Sequence, residues 1–407
     1  STNVTVNVTG IFDETPLIRV NTTSSIWTQI GSDIDGEAAG DYSGTSVSLS
    51  EDGSVVAIGA YRNSSRSAYH GHVRIYQNNN GTWTQIGSDI DGERPNDSSG
   101  MSVSLSADGS VVAIGAPLND GNGTTSGHVR IYQNVSGTWI QIGDDIDGEA
   151  ADDYSGGSVS LSSDGSVVAI GAYRNDANGS NSGHVRIYQN NNGTWTRIGS
   201  DIDGEAADDY SGGSVSLSSD GSVVAIGAYR NDANGSNSGH VRIYQNNNGT
   251  WTRIGSDIDG ESFNDLSGKS VSLSADGSVV AIGAYRNSNG NGTTSGHVRI
   301  YQNVSGTWIQ IGDDIDGEAA DDYSGGSVSL SSDGSVVAIG AYRNDANGSN
   351  SGHVRIYQNN NGTWTRIGSD IDGEAADDYS GGSVSLSSDG SVVAIGAYRN
   401  DANGSNS

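Results

Sequence analysis

The sequence predicts an all-β protein in which one small sheet is repeated along the chain, and three observations support this fold class. The seven tryptophans recur every 56 residues, with one spacing of 57, at Trp27, Trp83, Trp139, Trp195, Trp251, Trp308 and Trp364. Serine alternates with Val and Leu in the recurring segment SVSLS, a period of two that is typical of a strand. No segment shows the apolar spacing of a helix.

Each unit of this repeat divides into four predicted strands. SVSLS is the first strand, and the tight turn S-D-G-S joins it to the second strand, VVAIGA. The loop YRNDANGSNS leads to the third strand, GHVRIYQ. A turn containing Asn-Gly joins this strand to the fourth, which carries the tryptophan in T-W-T-R-I-G. The acidic connector SDIDGEAADDYSGG then leads into the next unit.

The repeat resolves an ambiguity in the composition. Val, Ile, Leu and Phe make up about 19% of the 407 residues and the net charge is −30, a combination typical of disordered chains. Yet residues 145–200, 201–256 and 314–369 are identical letter for letter. Because the few apolar residues occupy fixed positions, and because Ser, Ala and Gly allow neighbouring sheets to pack closely, a folded repeat protein is predicted instead.

Four short strands per unit and seven units predict a seven-bladed β-propeller with four antiparallel strands in each blade. The last unit contains only the first two strands, and the missing pair is predicted at the N-terminus. There residues 17–20 resemble the third strand and residues 25–31 resemble the tryptophan strand. We therefore expect the seventh blade to be closed by N-terminal strands, which leaves no open sheet edge.

The count of repeat units predicts one propeller domain, residues 15–407, preceded by an N-terminal extension or linker, residues 1–14. The expected blades are approximately residues 33–88, 89–144, 145–200, 201–256, 257–313, 314–369, and 370–407 together with 15–32.

The composition excludes several classes of protein. The chain has no cysteine, and therefore no disulfide, no thiolate metal site and no cysteine nucleophile. Nucleic acid is not expected as a partner, because 49 acidic residues face 19 basic ones. No apolar run approaches the roughly 18 residues of a membrane span, so none is predicted in this chain.

The order of motifs within each unit resembles the FG-GAP repeat of the integrin α-subunit propeller. The motifs are SG-x-SV-x-L, DG-x-x-V-x-x-GA and G-x-V-x-I-Y, and the resemblance covers all seven units, from about residue 15 to the end. It implies a seven-bladed propeller in an extracellular binding or adhesive setting. The chain departs from the family where it has the short turn Ser163–Ser166 in place of the calcium loop D-x-D-x-D-G, so the family's metal sites are not carried over.

The acidic connector supplies the candidate metal ligands, with calcium as the candidate ion because hard cations bind several carboxylate oxygens. The residues are Asp145, Asp147, Glu149, Asp152, Asp153, Asp201, Asp203, Glu205, Asp314, Asp316 and Glu318. The alternative is a set of Asx turns on a solvated acidic surface. The pattern favours that alternative, because D-x-D-G-E matches no complete calcium loop. No other cofactor is predicted.

The remaining recurrent residues are interpreted as structural. Six histidines occur in Gly-His-Val, at His72, His128, His184, His240, His297 and His353, and are assigned to the blade interfaces. Arg174 and Asn175 are interpreted as partners of connector carboxylates in the adjacent blade. The tryptophans are interpreted as packing residues of the outer strand, with sugar stacking as the alternative. Near-identical units offer no single place where unlike residues meet, so no catalytic residue and no enzyme is predicted.

N-x-S/T sequons recur in two predicted loops and suit a secreted glycoprotein. The alternative is that a composition rich in Asn, Ser and Thr produces them by chance. Those in the hairpin before the tryptophan are Asn80, Asn134, Asn192, Asn248, Asn303 and Asn361. Those in the long loop are Asn122, Asn178, Asn234, Asn291, Asn347 and Asn403.

The first predicted function is a non-catalytic binding or adhesion module, either secreted or on the cell surface, with a protein or glycan ligand. Its contact surface would be the long-loop face, on which the loop after strand two and the connector after strand four emerge together. The alternative is a structural subunit of an extracellular filament or surface coat, in which the chain binds copies of itself. An enzyme is the remote alternative.

Overall fold

The structure is a computed structural model that describes residues 27–64, 69–288 and 293–400. These residues form strands and no helix, and the strands build a β-propeller. Six sheets have five strands each and a further sheet has two. Among the described residues, no helix therefore has the length and apolar content to cross a membrane.

The strands follow the same order in every unit. They are β1 (Ser43–Leu49), β2 (Val55–Ala60), β3 (His72–Asn79), β4 (Thr82–Gln85), β5 (Ile90–Asp91); β6 (Ser102–Leu105), β7 (Val111–Ala116), β8 (His128–Val135), β9 (Thr138–Gln141), β10 (Ile146–Asp147); β11 (Ser155–Leu161), β12 (Val167–Ala172), β13 (His184–Asn191), β14 (Thr194–Arg197), β15 (Ile202–Asp203); β16 (Ser211–Leu217), β17 (Val223–Ala228), β18 (His240–Asn247), β19 (Thr250–Arg253), β20 (Ile258–Asp259); β21 (Ser270–Leu273), β22 (Val279–Ala284), β23 (His297–Val304), β24 (Thr307–Gln310), β25 (Ile315–Asp316); β26 (Ser324–Leu330), β27 (Val336–Ala341), β28 (His353–Asn360), β29 (Thr363–Arg366), β30 (Ile371–Asp372); β31 (Ser380–Leu386) and β32 (Val393–Ala397).

A complete blade has five strands, which corrects the prediction of four. In the first blade the order is β1-β2-β3-β4, and β5 also pairs with β3. The short strand β5 comes from the predicted connector, where Ile90 pairs antiparallel with Val73. Ile90 is 4% exposed, so burial of this side chain holds the start of the acidic connector against the sheet.

The prediction of seven blades is also corrected, because six complete blades are described. The seventh position contains only β31 and β32. Of the two N-terminal strands predicted to complete it, residues 17–20 lie outside the described residues, as do residues 25 and 26. Residues 27–32 are described but form no strand.

The ring is nevertheless closed at its axis, on the side of the S-D-G-S turns, which we call the turn face. Backbone N–H groups donate to carbonyls of the next unit in a cycle at 2.7–2.8 Å. The cycle runs from Glu51 through Ala107, Ser163, Ser219, Ala275, Ser332 and Ser388 and returns to Glu51.

The serines of SVSLS make the polar contacts between blades. Ser46 Oγ donates to the carbonyl of Gly100 in the next blade at 2.8 Å, and Ser48 Oγ accepts the N–H of Leu105 at 2.9 Å. Ser50 Oγ stays within its own turn and accepts the N–H of Val55. Each serine of the motif therefore makes a different hydrogen bond, and the bonds of Ser46 and Ser48 join neighbouring sheets.

Apolar layers fill the spaces between blades. The layer between the first two blades combines Val73 and Ile75 with Val112 and Ile114, all of them buried. The sheets approach so closely that a Cβ on Gly115 would lie 2.1 Å from the carbonyl oxygen of Gly156. Small residues thus allow a chain with few large aliphatic side chains to bury them completely.

Candidate functional site

The long loop of each unit and the connector that follows it are hydrogen-bonded to each other. Asn178 Nδ2 donates to the carbonyl of Gly204 at 2.8 Å, and the N–H of Asp208 donates to the carbonyl of Ser180 at 2.7 Å. The N–H of Tyr210 donates to the carbonyl of Asn181 at 3.1 Å. These bonds join the two predicted segments into a single layer of loops, which we call the long-loop face.

The carboxylates of one connector have separate partners. Asp145 accepts a hydrogen bond from Gln141 Nε2 at 2.7 Å, whereas Asp152 accepts one from Thr125 Oγ1 at 2.7 Å. Asp153 accepts the N–H of Ala150 at 3.0 Å.

Asp147 lies in strand β10, where its backbone pairs with His128. Partial burial and the charge of Asp145 raise the pKa of Asp147. Glu149 contacts Arg186 of the next blade. The remaining predicted ligands repeat this arrangement: Asp203 and Asp316 pair with His184 and His297, and Glu205 and Glu318 contact Arg242 and Arg355.

The structure brings some of these carboxylates together with the histidines, which the sequence analysis did not foresee. The described residues contain six groups of acidic and histidine side chains whose ligand atoms lie within 4.8 Å of one another. Five of them combine one Glu, one His and one Asp: Glu37/His72/Asp89, Glu93/His128/Asp145, Glu149/His184/Asp201, Glu205/His240/Asp257 and Glu261/His297/Asp314. The Glu belongs to the connector before a blade, and the Asp to the connector after it.

A second arrangement lies where the long-loop face meets the axis. Tyrosines from the dipeptide Asp-Tyr, just before the first strand, alternate with tyrosines from GAY, at the end of the second, with ring centroids 5.4–6.2 Å apart. We call these tyrosines and the arginines after GAY the Tyr–Arg rim. Its members are Tyr42, Tyr61, Tyr154, Tyr173, Tyr210, Tyr229, Tyr285, Tyr323, Tyr342, Tyr379, Tyr398, Arg62, Arg174, Arg230, Arg286, Arg343 and Arg399.

The arginines of the rim stack on tyrosines rather than pair with carboxylates, which corrects the interpretation of Arg174. The Arg174 guanidinium lies 4.3 Å from the centre of the Tyr154 ring. Within the described ranges, no carboxylate lies within ion-pair distance of the six rim guanidinium groups. Nε of Arg174, Arg286 and Arg399 is buried and has no hydrogen-bond partner. In four units the asparagine after the arginine does meet a carboxylate, as Asn231 meets Asp209 of its own unit at 3.2 Å.

The rim changes at the units that depart from the repeat. Leu266 replaces a tyrosine in the fifth unit and is 5% exposed. In the same unit Lys269, the only lysine of the chain, replaces a glycine, and its Nζ lies 4.7 Å from the Tyr229 ring centre. Phe263 of this connector is 69% exposed. The fifth unit therefore gives the ring one sector of distinct chemistry.

The tryptophans connect neighbouring units at the outer side of the sheets. Trp139 Nε1 donates to the carbonyl of Ile86 in the preceding unit at 2.8 Å. Trp27 makes the same contact with Ile367, at 3.0 Å, across the seventh position. Trp83, Trp195, Trp251, Trp308 and Trp364 repeat it.

The two sets of sequons have different environments. Asn80, Asn192, Asn248 and Asn361 are exposed in hairpin turns, and Asn134 and Asn303 are half-buried in β8 and β23. In the long loop, Nδ2 of Asn122, Asn178, Asn234 and Asn347 already donates to a connector carbonyl. Asn291 and Asn403 lie outside the described residues.

Comparison with known proteins finds a match to a repeat model and matches to solved structures of similar fold. The FG-GAP repeat model matches residues 146–188, 201–244 and 315–357. No curated protein sequence matches the chain.

Three solved structures share the fold at low sequence identity. Hydrazine synthase of Kuenenia stuttgartiensis is 14% identical over 91% of this chain and 98% of that chain, with a TM-score of 0.55. A putative 6-phosphogluconolactonase of Bacteroides uniformis is 13% identical over 86% and 88%, with a TM-score of 0.56. The periplasmic gluconolactonase of Pseudomonas aeruginosa is 14% identical over 81% and 85%, with a TM-score of 0.53. At these identities the likeness shows the fold alone.

Proposed function

Because the chain carries FG-GAP repeats, which are typical of extracellular proteins, we propose that it is a secreted or cell-surface propeller that acts as a non-catalytic binding or adhesion module. Its contact surface is the long-loop face, centred on the Tyr–Arg rim. Its ligand is a glycan or protein that presents carboxylate or sulfate groups.

The observation that carries this proposal is the set of rim guanidinium groups, which have no carboxylate partner in the part of the chain that the structure describes. The chain has a net charge of −30, yet the rim holds six of its arginines, and Lys269 lies beside them. Tyr and Arg are the residue types that dominate the energy of binding surfaces. Six nearly equivalent positions also favour a ligand with repeated anionic groups, since weak contacts made together give high avidity.

A matched pair of triple variants tests this proposal. Arg174→Ala/Arg230→Ala/Arg343→Ala removes three rim charges from the third, fourth and sixth units. Arg197→Ala/Arg253→Ala/Arg366→Ala removes the same charge from the outer strands of the same units. Binding is measured by surface plasmon resonance against polygalacturonate, polyglutamate and neutral dextran.

We expect the rim triple to lose at least about tenfold in affinity for an anionic polymer, since it removes three charge-assisted contacts. The outer-strand triple should change it by less than about twofold, as expected for distant charges screened by salt. Equal losses in both variants would indicate non-specific attraction, and binding of dextran alone would also contradict the proposal. The polygalacturonate and polyglutamate arms distinguish a glycan ligand from an acidic protein.

Among the described residues, β32 is the outer edge of the seventh position. A cavity of about 400 Å³ lies beside β32, lined by Trp27, Ile371, Val393 and Ile395 among others.

A competing function uses the same edge. The outer side of β32 has no strand partner within the described residues, and an unpaired edge is a place where another chain can add a strand. If the strand came from a second copy, the protein would be the structural subunit of an extracellular filament or coat.

Electron microscopy and sedimentation of the untagged chain over a range of protein concentrations test this alternative. Ordered polymers that grow with concentration would support the filament, and isolated rings at every concentration would contradict it.

A further inference from the structure

The Glu/His/Asp clusters occur in two forms, and the form depends on the residue four positions before the Asp. In the Gln-type clusters this residue is Gln85, Gln141 or Gln310, which donates to the carboxylate of Asp89, Asp145 or Asp314 at 2.7 Å. In the Arg-type clusters it is Arg197 or Arg253, which pairs with Asp201 or Asp257 at 2.6 Å. Both forms have the same Glu and His in the same places.

In an Arg-type cluster, guanidinium groups occupy both carboxylates. Arg186 donates to both oxygens of Asp201 at 3.1 and 3.3 Å and also contacts Glu149. Arg197 adds a second charge on Asp201. The charges of the Glu and the Asp in this form are therefore neutralised by arginine side chains of the protein itself.

In a Gln-type cluster, the equivalent arginine donates to a backbone carbonyl instead of to the aspartate, and Arg130 and Arg299 lie 3.8 Å from Glu93 and Glu261. Arg74 donates to the carbonyl of Asp35 at 2.6 Å, and Arg130 and Arg299 make the same contact with preceding connectors at 2.7 Å. Gln85 holds Oδ1 of Asp89, so that Oδ2 faces His72 Nδ1 at 3.7 Å. The carboxylate of Glu37 lies 3.8 Å from the same nitrogen.

Two histidines of the Gln-type clusters are buried without a partner. The side chains of His72 and His297 are 1% exposed, and neither Nδ1 nor Nε2 of these residues has a hydrogen-bond partner among the described residues. Nδ1 of His297 lies 3.5 Å from Oδ2 of Asp314, which is too long for a strong hydrogen bond.

We propose that the three Gln-type clusters each bind one divalent transition-metal cation, such as Zn²⁺, and that the Arg-type clusters do not. An imidazole nitrogen and two carboxylate oxygens are ligands that Zn²⁺ prefers, at about 2.0–2.2 Å. Ligands at that distance in a tetrahedral site are about 3.4 Å apart. The histidine-to-carboxylate distances of 3.5–4.0 Å, and the limit of 4.8 Å for every pair of ligand atoms, therefore require a closure of at most about 1.4 Å. The glutamine acts as a positioning residue, because it orients the aspartate.

The mixed ligand set also separates this site from the calcium site predicted for the connectors. Calcium takes six to eight oxygen ligands, whereas each cluster offers one nitrogen and two carboxylates. The cation would bind between two blades, because the Glu comes from the connector of one and the His from a strand of the next.

Metal stoichiometry in the untagged full chain tests the proposal. The protein is treated with chelator, equilibrated with Zn²⁺, Co²⁺ or Ca²⁺ separately, and bound metal is counted by mass spectrometry and calorimetry. We expect about three Zn²⁺ per chain and a visible Co²⁺ spectrum with nitrogen and oxygen ligation. Gln310→Arg recreates an Arg-type cluster like those that contain Asp201 and Asp257, and should lower the count from three to two. Gln302→Arg adds the same charge to the neighbouring strand and should leave three.

The reverse exchange, Arg197→Gln, should raise the count from three to four. Absence of Zn²⁺ binding would overturn the proposal, as would a count that Gln310→Arg does not lower. Binding to Arg-type and Gln-type clusters alike would overturn the role given to the arginines. Calcium binding in place of Zn²⁺ would overturn the choice of metal. None of these results depends on the ligand of the Tyr–Arg rim.

Discussion

The two faces of the ring are built by the same units but use their charged groups differently. On the turn face, Asp164 accepts hydrogen bonds from Ser162 Oγ and from the N–H of Ser166, at 2.7 and 2.9 Å. On the long-loop face, the rim guanidinium groups lie against tyrosine rings and have no carboxylate partner among the described residues. The turn face therefore satisfies its charges within a few residues, whereas the long-loop face leaves cations available to other molecules.

Because of this difference, we expect the turn face to determine the stability of the ring and the long-loop face to determine ligand binding. The turn face also carries the closed cycle of backbone hydrogen bonds through Glu51 and Ser388, so its local geometry holds the ring together. Changes there should alter unfolding and leave ligand affinity intact. Changes on the long-loop face should alter ligand affinity more than unfolding, because its loops contact mainly each other.

The largest expected effect is that of Gly165→Ala on the turn face. Gly165 has φ of +68°, and an added Cβ would lie 2.8 Å from the Val111 side chain of the preceding blade. A left-handed alanine and an overpacked interface together should cost about 2–4 kcal/mol. Gly137→Ala is the control, because it also has positive φ but its Cβ would meet nothing within 4 Å. Chemical denaturation should show a clearly smaller loss for the control; equal losses would mean that the blade contact contributes nothing.

The next effect is a loss of stability in acid that originates in the turns. Partial burial acts to raise the pKa of Asp164, but hydrogen bonds from Ser162 and Ser166 outweigh it and lower the pKa. The pKa is lowered in the same way at the other turn carboxylates, Asp52, Asp108, Asp220, Asp276, Asp333 and Asp389.

A carboxylate with a lowered folded-state pKa stabilises the fold above its unfolded-state pKa of about 3.9, and this stabilisation is lost as pH falls through the folded-state value. Asp164→Asn should therefore destabilise the protein near neutral pH, by less than about 1 kcal/mol because the carboxylate is exposed to solvent. The difference between the variant and the parent should vanish well below pH 4 in thermal scans. A difference that persists in acid would show that the charge is not the cause.

The turn face was predictable from the sequence because its interactions are local. The order Ser162, Asp164, Gly165 contains the whole turn, and the alternation of SVSLS contains the first strand. The fifth strand was missed because Ile90 is surrounded by turn-forming residues, and only its burial between blades shows that it pairs.

The long-loop face was not predictable in the same way, because its groups meet across units. Glu37 and His72 are 35 positions apart in the sequence, and nothing in either motif indicates that they meet. The carboxylates around Asp145 suggested one shared ion, but the fold sends Glu149 to the next blade. Arg174 was assigned to carboxylates because charge is the obvious signal, whereas the tyrosine beneath it comes from another motif.

A smaller effect is expected when a rim arginine is removed. Arg174 lies 4.3 Å above the Tyr154 ring, and a cation–π contact at a partly exposed site contributes about 0.5–1 kcal/mol. Arg174→Ala should therefore lower thermal stability less than Gly165→Ala does. Arg174→Lys keeps the charge but not the planar stacking, and should recover only part of the loss. A loss as large as that of Gly165→Ala would mean that the rim is a structural element of the ring.

The smallest effect on stability, and the most local probe of the rim, is expected at Lys269. The residue as a whole is exposed, but burial of its ammonium group and, next, the charge of Arg230 lower its pKa. A lowered pKa means that the neutral, nucleophilic amine is present at lower pH than for an ordinary lysine, whose pKa is about 10.4. Because the chain has one lysine, acylation followed by peptide mapping reports Lys269 separately from the N-terminal amine.

Lys269→Gly, which restores the residue of the repeat, should change stability by less than about 0.5 kcal/mol. An anionic polymer bound at the rim should slow the acylation of Lys269, whereas Gly165→Ala should not; a rate insensitive to the polymer would place the ligand elsewhere on the ring.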